Sequence, residues 1–297
     1  MPRSLALTCL LLATAIWGFA FIAQKSAMDA MGPLTFTGAR FLLGGLLILP
    51  LALRENNRQP VALTARQWAL IAFLSFNFFA GAILQQYGLL FTTVTNSGFL
   101  TGLYILLVPM ILLFVFRQPP HKVIWLGVPV ALIGLFLLNG ARLDRLNTGD
   151  GLVIFSAVFW ALHVLLLGYL ARETARPIFI SSMSFLIAGA LGTIGAFAVE
   201  VPTISALSAG WMEILYAGAL STAVGFTLQA IGQQHVPPAN AAIILSAESL
   251  FAAIGGALIL GERLQSIGYF GVALIFAAVL LVELLPNLKP KPVTESG

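Results

Sequence analysis

Ten stretches of about 20 mainly apolar residues follow one another along the 297-residue chain, separated by short connections. A helix needs about 20 apolar residues to cross the hydrocarbon core of a bilayer, so each stretch predicts one membrane span. The predicted spans are residues 4–24, 34–53, 67–90, 96–116, 123–140, 151–170, 178–199, 211–233, 239–260 and 266–285. The first stretch has the apolar character of a secretory signal, but it takes part in an internal repeat, and we interpret it as a retained span. No connection has room for a soluble domain, which places the activity within the membrane.

The composition excludes several classes of protein. Only 9% of the residues are charged and 59% are hydrophobic, whereas soluble domains carry about 25% charged residues. A soluble enzyme, a disordered chain and a nucleic-acid-binding protein are therefore excluded, although the net charge is +4. With one cysteine, Cys9, a disulfide framework is impossible. The sequence predicts an all-α membrane protein whose surroundings are a lipid bilayer.

The basic residues indicate how the chain is oriented. With the N-terminus in the cytoplasm, ten lysines and arginines fall in cytoplasmic segments and four fall outside. The cytoplasmic ten are Arg3, Arg54, Arg58, Arg66, Arg117, Lys122, Arg172, Arg176, Lys289 and Lys291, and the outer four are Lys25, Arg142, Arg145 and Arg263. The excess of positive charge on cytoplasmic loops predicts a bacterial-type inner membrane protein with both termini in the cytoplasm.

A sparse internal repeat divides the chain into two halves of five spans each. At a shift of 144 positions, the residues Gly81, Leu84, Gln85, Gly88 and Asn96 recur as Gly225, Leu228, Gln229, Gly232 and Asn240. An odd number of spans per repeat inserts the second repeat upside down. The predicted units are residues 1–145 and 149–290, followed by a cytoplasmic tail at 291–297. Inverted repeats are typical of secondary transporters, which bind their substrate near the midplane.

Short motifs at these positions resemble those of one known family, the EamA-type members of the drug/metabolite transporter superfamily. The landmarks are Ala15-Ile16-Trp17-Gly18, Gly32-Pro33 followed by Arg40-Phe41, the stretch from Gly81 to Asn96, and Leu260-Gly261-Glu262-Arg263 before the last span. The resemblance covers nearly the whole chain and departs from the family pattern at Leu250, where many members have proline. It implies ten helices in two inverted five-helix repeats and the export of small metabolites, among which amino acids, including aromatic ones, are prominent.

Aromatic residues in the spans are candidates for the walls of a substrate cavity. Trp17 and Trp160, 143 positions apart, lie too deep for the aromatic belt of the membrane interface. We predict that they form a symmetric pair of walls, to which Tyr87, Tyr104 and Phe251 add further aromatic surface. The alternative is that the tryptophans only pack helices together.

Polar residues in the spans are the second group of candidates. Glu248, deep in the ninth span, is costly in lipid and is predicted to bind a substrate amine or a proton, with a structural ion pair as the alternative. His163, one turn after Trp160, is either a cavity residue able to carry a proton or a hydrogen-bonded core residue. Gln85 and Gln229 share a helix face with small residues, which favours either helix packing or substrate binding.

Three further polar residues carry structural predictions. Asn96 and Asn240 begin their spans and are predicted N-caps. Arg40 lies within the second span, where it snorkels, pairs with a carboxylate or attracts an anion.

The leading hypothesis is a secondary transporter that exports neutral or aromatic amino acids by alternating access. Drugs, nucleobases and sugars are alternative solutes of the same class. An intramembrane enzyme is an alternative of another class, but the chain has no metal-ligand spacing and no nucleophile motif, and it has no nucleotide-binding Gly-rich loop for ATP. A channel or scaffold is a further alternative, but the spans have too few polar residues to line a continuous polar path. We therefore expect no cofactor or metal, and both uniport and exchange against protons remain open.

Overall fold

The computed structural model describes residues 1–141, 146–261 and 265–285, and these residues contain ten apolar helices of ten or more residues and no strand. The helices are α1 (Arg3–Asp29), α2 (Pro33–Asn57), α3 (Ala65–Gly88), α4 (Val94–Phe114), α5 (Ile124–Leu138), α6 (Thr148–Thr174), α7 (Pro177–Val199), α8 (Trp211–Gln233), α9 (Pro238–Ile259) and α10 (Ser266–Leu284). Nine are long enough to span a bilayer, and α5, with 15 residues, is shorter. The predicted all-α fold with ten membrane helices is confirmed.

Some predictions fall on parts of the chain outside the described residues. These are the tail at 291–297, the end of the second predicted unit, and the residues Arg142, Arg145, Glu262, Arg263, Lys289 and Lys291.

The starts of the helices follow the sequence signals only in part. Pro33 and Pro238 occupy the first helical turn, where the missing N–H costs nothing. The prediction that Asn96 and Asn240 are N-caps is wrong, because the caps are Thr93 and Pro237. The Thr93 hydroxyl accepts the Asn96 N–H at 3.1 Å, and this moves the start of α4 upstream.

Both asparagines instead tie neighbouring helices together. Asn240 Nδ2 donates to the Val282 carbonyl at 3.1 Å, and Asn96 Nδ2 donates to Asp150 at 2.5 Å.

Helices of the two repeats interleave. The most extensive helix–helix contact joins α2 to its counterpart α7, and α5 lies along its counterpart α10. Glycines allow these close approaches, since a Cβ on Gly38 would lie 2.7 Å from Thr193 Oγ1, and one on Gly134 would lie 2.8 Å from the Gly271 carbonyl. The other main contacts, of α1 with α8 and α9 and of α3 with α6, also cross between repeats. The interface between the repeats is therefore the core of the protein.

α4 and α9 are interrupted at equivalent positions, whereas the sequence predicts continuous spans. In α4, the N–H groups of Leu103, Ile105 and Leu106 bond to carbonyls three residues back, as in a 3₁₀ turn. In α9, the N–H groups of residues 247, 249 and 250, each 144 positions further on, do the same. Gly102 favours the first break, and the Ser246 hydroxyl, which donates to the Ile243 carbonyl at 2.7 Å, favours the second.

α8 contains a second irregularity that the sequence does not indicate. Residues Tyr216–Phe226 are wound as a π-helix, which is rare and frequent at functional sites. Two side chains donate hydrogen bonds to backbone carbonyls in this stretch. The Thr222 hydroxyl donates to the Ala217 carbonyl at 2.7 Å, and the Trp17 indole Nε1 donates to the Ser221 carbonyl at 3.2 Å. Side chains that insert into a helical hydrogen-bond ladder alter its winding.

Two glutamates clamp the α2–α7 pair, one at each end. Glu200, after α7, accepts the Leu34 and Thr35 N–H groups at the start of α2, both at 2.9 Å. Glu55, near the end of α2, accepts the Phe179 N–H at the start of α7 at 2.8 Å. Each carboxylate thus caps the N-terminus of the partner helix, where the helix dipole favours negative charge. The reciprocal caps show that these equivalent helices run antiparallel.

We expect Glu200→Gln to reduce the free energy of unfolding by about 1–2 kcal/mol, because the amide keeps one acceptor but loses the charge that strengthens these bonds. Unfolding of the detergent-solubilised protein by added dodecyl sulfate measures the change. Glu173→Gln, on an exposed part of α6, removes the same charge as a control. Equal stability of Glu200→Gln and Glu173→Gln would show that Glu200 does not clamp the pair.

Candidate functional site

Two tryptophan–glycine contacts, related by the internal repeat, place the deep aromatic residues. Trp17 of α1 lies against Gly225 of α8, where an added Cβ would be 2.7 Å from the indole Nε1. Trp160 of α6 lies against Gly81 of α3, where an added Cβ would be 3.2 Å from the ring. The glycines that repeat in the sequence thus leave room for the two indole rings at the centre of the protein.

A second pair of repeat-equivalent residues lies at the breaks in α4 and α9. Tyr104 and Glu248 are equivalent at the shift of 144 positions, and each stands directly after the break, halfway along its helix. Both are buried, Tyr104 with an exposed fraction of 4% and Glu248 with one of 6%. The Ser249 hydroxyl, one residue on, donates to the Gly98 carbonyl of α4 at 2.7 Å and joins the two helices beside the site.

These side chains line one cavity at the middle of the helices. Six predicted site residues line it: Trp17, Tyr104, Trp160, His163, Gln229 and Glu248. All six are buried, with exposed fractions between 1% and 9%. Four lining residues were not singled out from the sequence, namely Thr101, Val164, Phe226 and Leu245. The structure therefore brings most of the predicted site residues together in a single cavity.

Three buried polar atoms of the lining have no hydrogen-bond partner among the described residues. They are Trp160 Nε1, His163 Nδ1 and Glu248 Oε1. Buried polar groups are nearly always paired, so each unpaired one needs an explanation. An indole N–H is a donor and a carboxylate oxygen is an acceptor, while the imidazole nitrogen is either according to its tautomer. The cavity therefore offers complementary groups to a molecule that is both a donor and an acceptor.

An aromatic cluster surrounds the polar groups. Phe226 stacks on Trp160 with an interplanar angle of 12° and contacts Trp17 at 4.4 Å between ring centroids. Phe78 contacts the His163 ring at 5.1 Å. The helical spacing from Gly81 is a sequence signal that could have identified Phe78, because the two residues share a helix face.

His163 has one partner in this cluster. Its Nε2 lies 3.3 Å from Oε1 of Gln229, which orients the ring, and Nδ1 is the ring nitrogen without a hydrogen-bond partner among the described residues. Gln229 therefore acts on the cavity both directly and through the histidine.

Three predicted site residues do not line the cavity. Gln85 Nε2 donates to Thr101 Oγ1 at 2.7 Å, so it orients a lining residue from behind. Phe251 packs its Cβ against the backbone of Gly18 in α1. Tyr87 is partly buried near the end of α3. A direct contact between these residues and a bound molecule stays a prediction.

Arg40 lies elsewhere and is buried with an exposed fraction of 3%. Its guanidinium is 4.6 Å from the centroid of the Phe41 ring and 5.3 Å from that of Phe36. Among the described residues it has no ion pair, and cation–π contacts stabilise its charge. The alternatives of a carboxylate partner and of snorkelling are therefore wrong, and attraction of an anion stays a prediction.

The cavity has a volume of about 30 Å³. That is room for water, since a water molecule needs about 10–15 Å³, but ligand pockets typically hold about 300 Å³ or more. The conformation described here is therefore closed, and a larger molecule enters only if helices move apart.

Comparison with known proteins gives consistent matches over the whole chain. The model of the EamA-like transporter family matches twice, over residues 4–140 and 147–284. An uncharacterized transporter of Archaeoglobus fulgidus is 30% identical over 278 residues, which cover 93% of this chain and 84% of the relative. The uncharacterized inner membrane transporter YedA of Escherichia coli K12 is 25% identical, over 94% of this chain and 90% of YedA.

One relative has a named substrate. The threonine/homoserine exporter RhtA of Escherichia coli K12 is 29% identical, over 94% of this chain and 91% of RhtA. A solved crystal structure superimposes with a TM-score of 0.78 at 18% sequence identity, over 97% of this chain and 100% of the other, which supports the fold alone.

Proposed function

Because the chain belongs to the EamA-like transporter family, we propose that it exports a neutral or aromatic amino acid through the central cavity. The observation that carries the proposal is the set of three unpaired polar atoms in one aromatic-lined cavity at the middle of the helices. Inverted repeats with interrupted helices at the midplane are the general architecture of secondary transporters.

The chemistry of the cavity favours a zwitterion. Glu248 Oε1 is an acceptor for an ammonium group, which the aromatic faces also attract. Trp160 Nε1, with His163 Nδ1 in its protonated form, supplies donors for a carboxylate. Trp17 and Phe226 provide an apolar surface for the side chain. The name of RhtA as an amino-acid exporter supports the same class.

Transport requires the closed cavity to open alternately to the two sides. With both termini in the cytoplasm, the amino acid enters from the cytoplasm and leaves through the outer face of the inner membrane. Glu248 and His163 are the titratable side chains of the cavity that are able to carry a proton. Exchange against protons would use one of them, whereas uniport would use neither. No chemical conversion of the solute is part of the proposal.

A counterflow screen tests the substrate class. The purified protein is reconstituted into liposomes loaded with one unlabelled solute, and uptake of the labelled solute is followed for amino acids, nucleobases, sugars and a cationic dye. We expect counterflow with large neutral amino acids and competition among them. Counterflow with a sugar or nucleobase alone would contradict the amino-acid proposal, and a chemically altered solute would indicate an enzyme.

We expect Trp160→Phe to raise KM for the amino acid about tenfold, because a hydrogen bond to a charged group contributes about 1.5–3 kcal/mol and phenylalanine keeps an aromatic ring but has no N–H donor. Initial rates of counterflow at increasing substrate concentration measure the change. Trp125→Phe, at a 40% exposed position on α5, is the matched control and keeps the wild-type KM. If both variants behave as the wild type, the Trp160 N–H does not bind the substrate.

A further inference from the structure

A stripe along the exposed face of α2 changes from apolar to basic towards the end of the helix. Leu47 and Leu51, 50% and 56% exposed, are followed on the same face by Arg54 and Arg58, which are also exposed. The spacing of four, three and four residues keeps these side chains on one side of the helix. The order matches that of a phospholipid standing in one leaflet, with acyl chains below and a phosphate above.

The basic end of the stripe borders a groove of about 500 Å³ between α2 and the start of α7. Arg54, Arg58 and Gln59 line its polar side, and Leu51 and Ile178 line its apolar side. Neither Arg54 nor Arg58 forms an ion pair with a carboxylate in the described part of the chain. The groove therefore has two guanidinium groups available and an apolar floor.

The other charged groups in and beside the groove are already engaged. Glu55 also lines the groove, but its carboxylate accepts the Phe179 N–H at the start of α7. Arg176 lines the adjacent pocket, where it is buried and donates to Asn56 Oδ1 at 3.0 Å and to the Val61 carbonyl. These bonds hold the wall of the groove, so the two exposed arginines are the groups left to bind an anion.

The level of the groove corresponds to the edge of the membrane. Trp68, 44% exposed, lines the adjacent pocket together with Gln59 and contacts the Phe179 ring at 5.8 Å between centroids. Exposed tryptophans are enriched where acyl chains meet headgroups. Arginines at this depth attract anionic lipids, by about 1 kcal/mol each.

We propose that this groove binds the phosphate headgroup of an anionic phospholipid, with its acyl chains along Leu47 and Leu51. Arginine suits the role because its planar donors match phosphate oxygens in pairs. The site lies apart from the central cavity and does not depend on the substrate that the protein exports.

Native mass spectrometry of the full-length protein in detergent tests the proposal, with phosphatidylglycerol as the probe. We expect the double variant Arg54→Gln/Arg58→Gln to bind it about tenfold to thirtyfold more weakly than the wild type. Arg66→Gln, at the exposed start of α3, removes one positive charge close to the connection between α2 and α3. This control variant is expected to bind phosphatidylglycerol within twofold of the wild-type affinity. Arg54→Lys/Arg58→Lys recovers part of the affinity and shows that the loss is not caused by misfolding.

Two further probes separate the lipid from other ligands. Phosphatidylcholine, which has the same acyl chains but no net charge, is expected to bind at least tenfold more weakly than phosphatidylglycerol. Glycerol phosphate, which has the anion but no acyl chains, is expected not to displace the bound lipid. Displacement by glycerol phosphate would indicate a site for a free phosphate ester, and equal lipid binding by the Gln variants and the wild type would refute the proposal.

Discussion

Replacing Glu248 by glutamine is expected to lower the rate of amino-acid export at least tenfold while leaving the protein folded. Glutamine keeps the shape of the side chain and an oxygen able to accept a hydrogen bond, but it removes the charge that would hold an ammonium group. A charged hydrogen bond contributes about 1.5–3 kcal/mol, which corresponds to about tenfold to hundredfold. Counterflow in liposomes at a saturating and a limiting substrate concentration measures the loss.

The stability of the same variant separates function from folding. Burying a carboxylate is costly, so Glu248→Gln is expected to unfold at the same or a higher temperature than the wild type. Tyr104→Phe removes a hydroxyl from the same cavity but leaves the charge of Glu248 in place, and we expect a smaller loss of export. Wild-type export by Glu248→Gln, with Glu173→Gln as the control for removal of a negative charge, would show that Glu248 does not bind the substrate.

The symmetric part of the site could be predicted from the sequence because it follows the repeat. Trp17 and Trp160 recur at one shift and Glu248 and Tyr104 at nearly the same shift, and the folded chain brings all four residues to one cavity. The cost of an acidic residue in lipid identified Glu248 independently of any alignment. These arguments depend on periodicity and polarity, which the sequence displays directly.

The asymmetric part could not be predicted because it depends on packing between distant helices. The repeat equivalent of Phe226 is Ala82, so the shift of 144 positions does not indicate an aromatic wall there. In the π-helix of α8, the Ser221 carbonyl accepts a hydrogen bond from the Trp17 indole, which is 204 positions away in sequence. Phe251 and Gly18 are also distant in sequence, so the contact that keeps Phe251 from lining the cavity could not be predicted either.

Replacing Gly18 by alanine is expected to reduce the free energy of unfolding by about 1–3 kcal/mol, the usual cost of overpacking a tight core. An added Cβ would lie 2.6 Å from the Ala252 N atom and 2.7 Å from the Phe251 carbonyl carbon, and backbone atoms cannot rotate away as a flexible side chain can. α1 and α9 must therefore separate. Trp17 and Glu248 stand on these two helices, so export is expected to fall together with stability.

Gly151→Ala is the matched control, because nothing lies within 4 Å of the position that its Cβ would occupy. Alanine is a better helix former than glycine, so this variant is expected to be as stable as the wild type or up to about 1 kcal/mol more stable. Unfolding in dodecyl sulfate measures both variants, and opposite signs are the expected result. Similar stability of the two variants would mean that α1 and α9 are not held in contact at Gly18. The closed form of the cavity, to which both helices contribute lining residues, would then not depend on this contact.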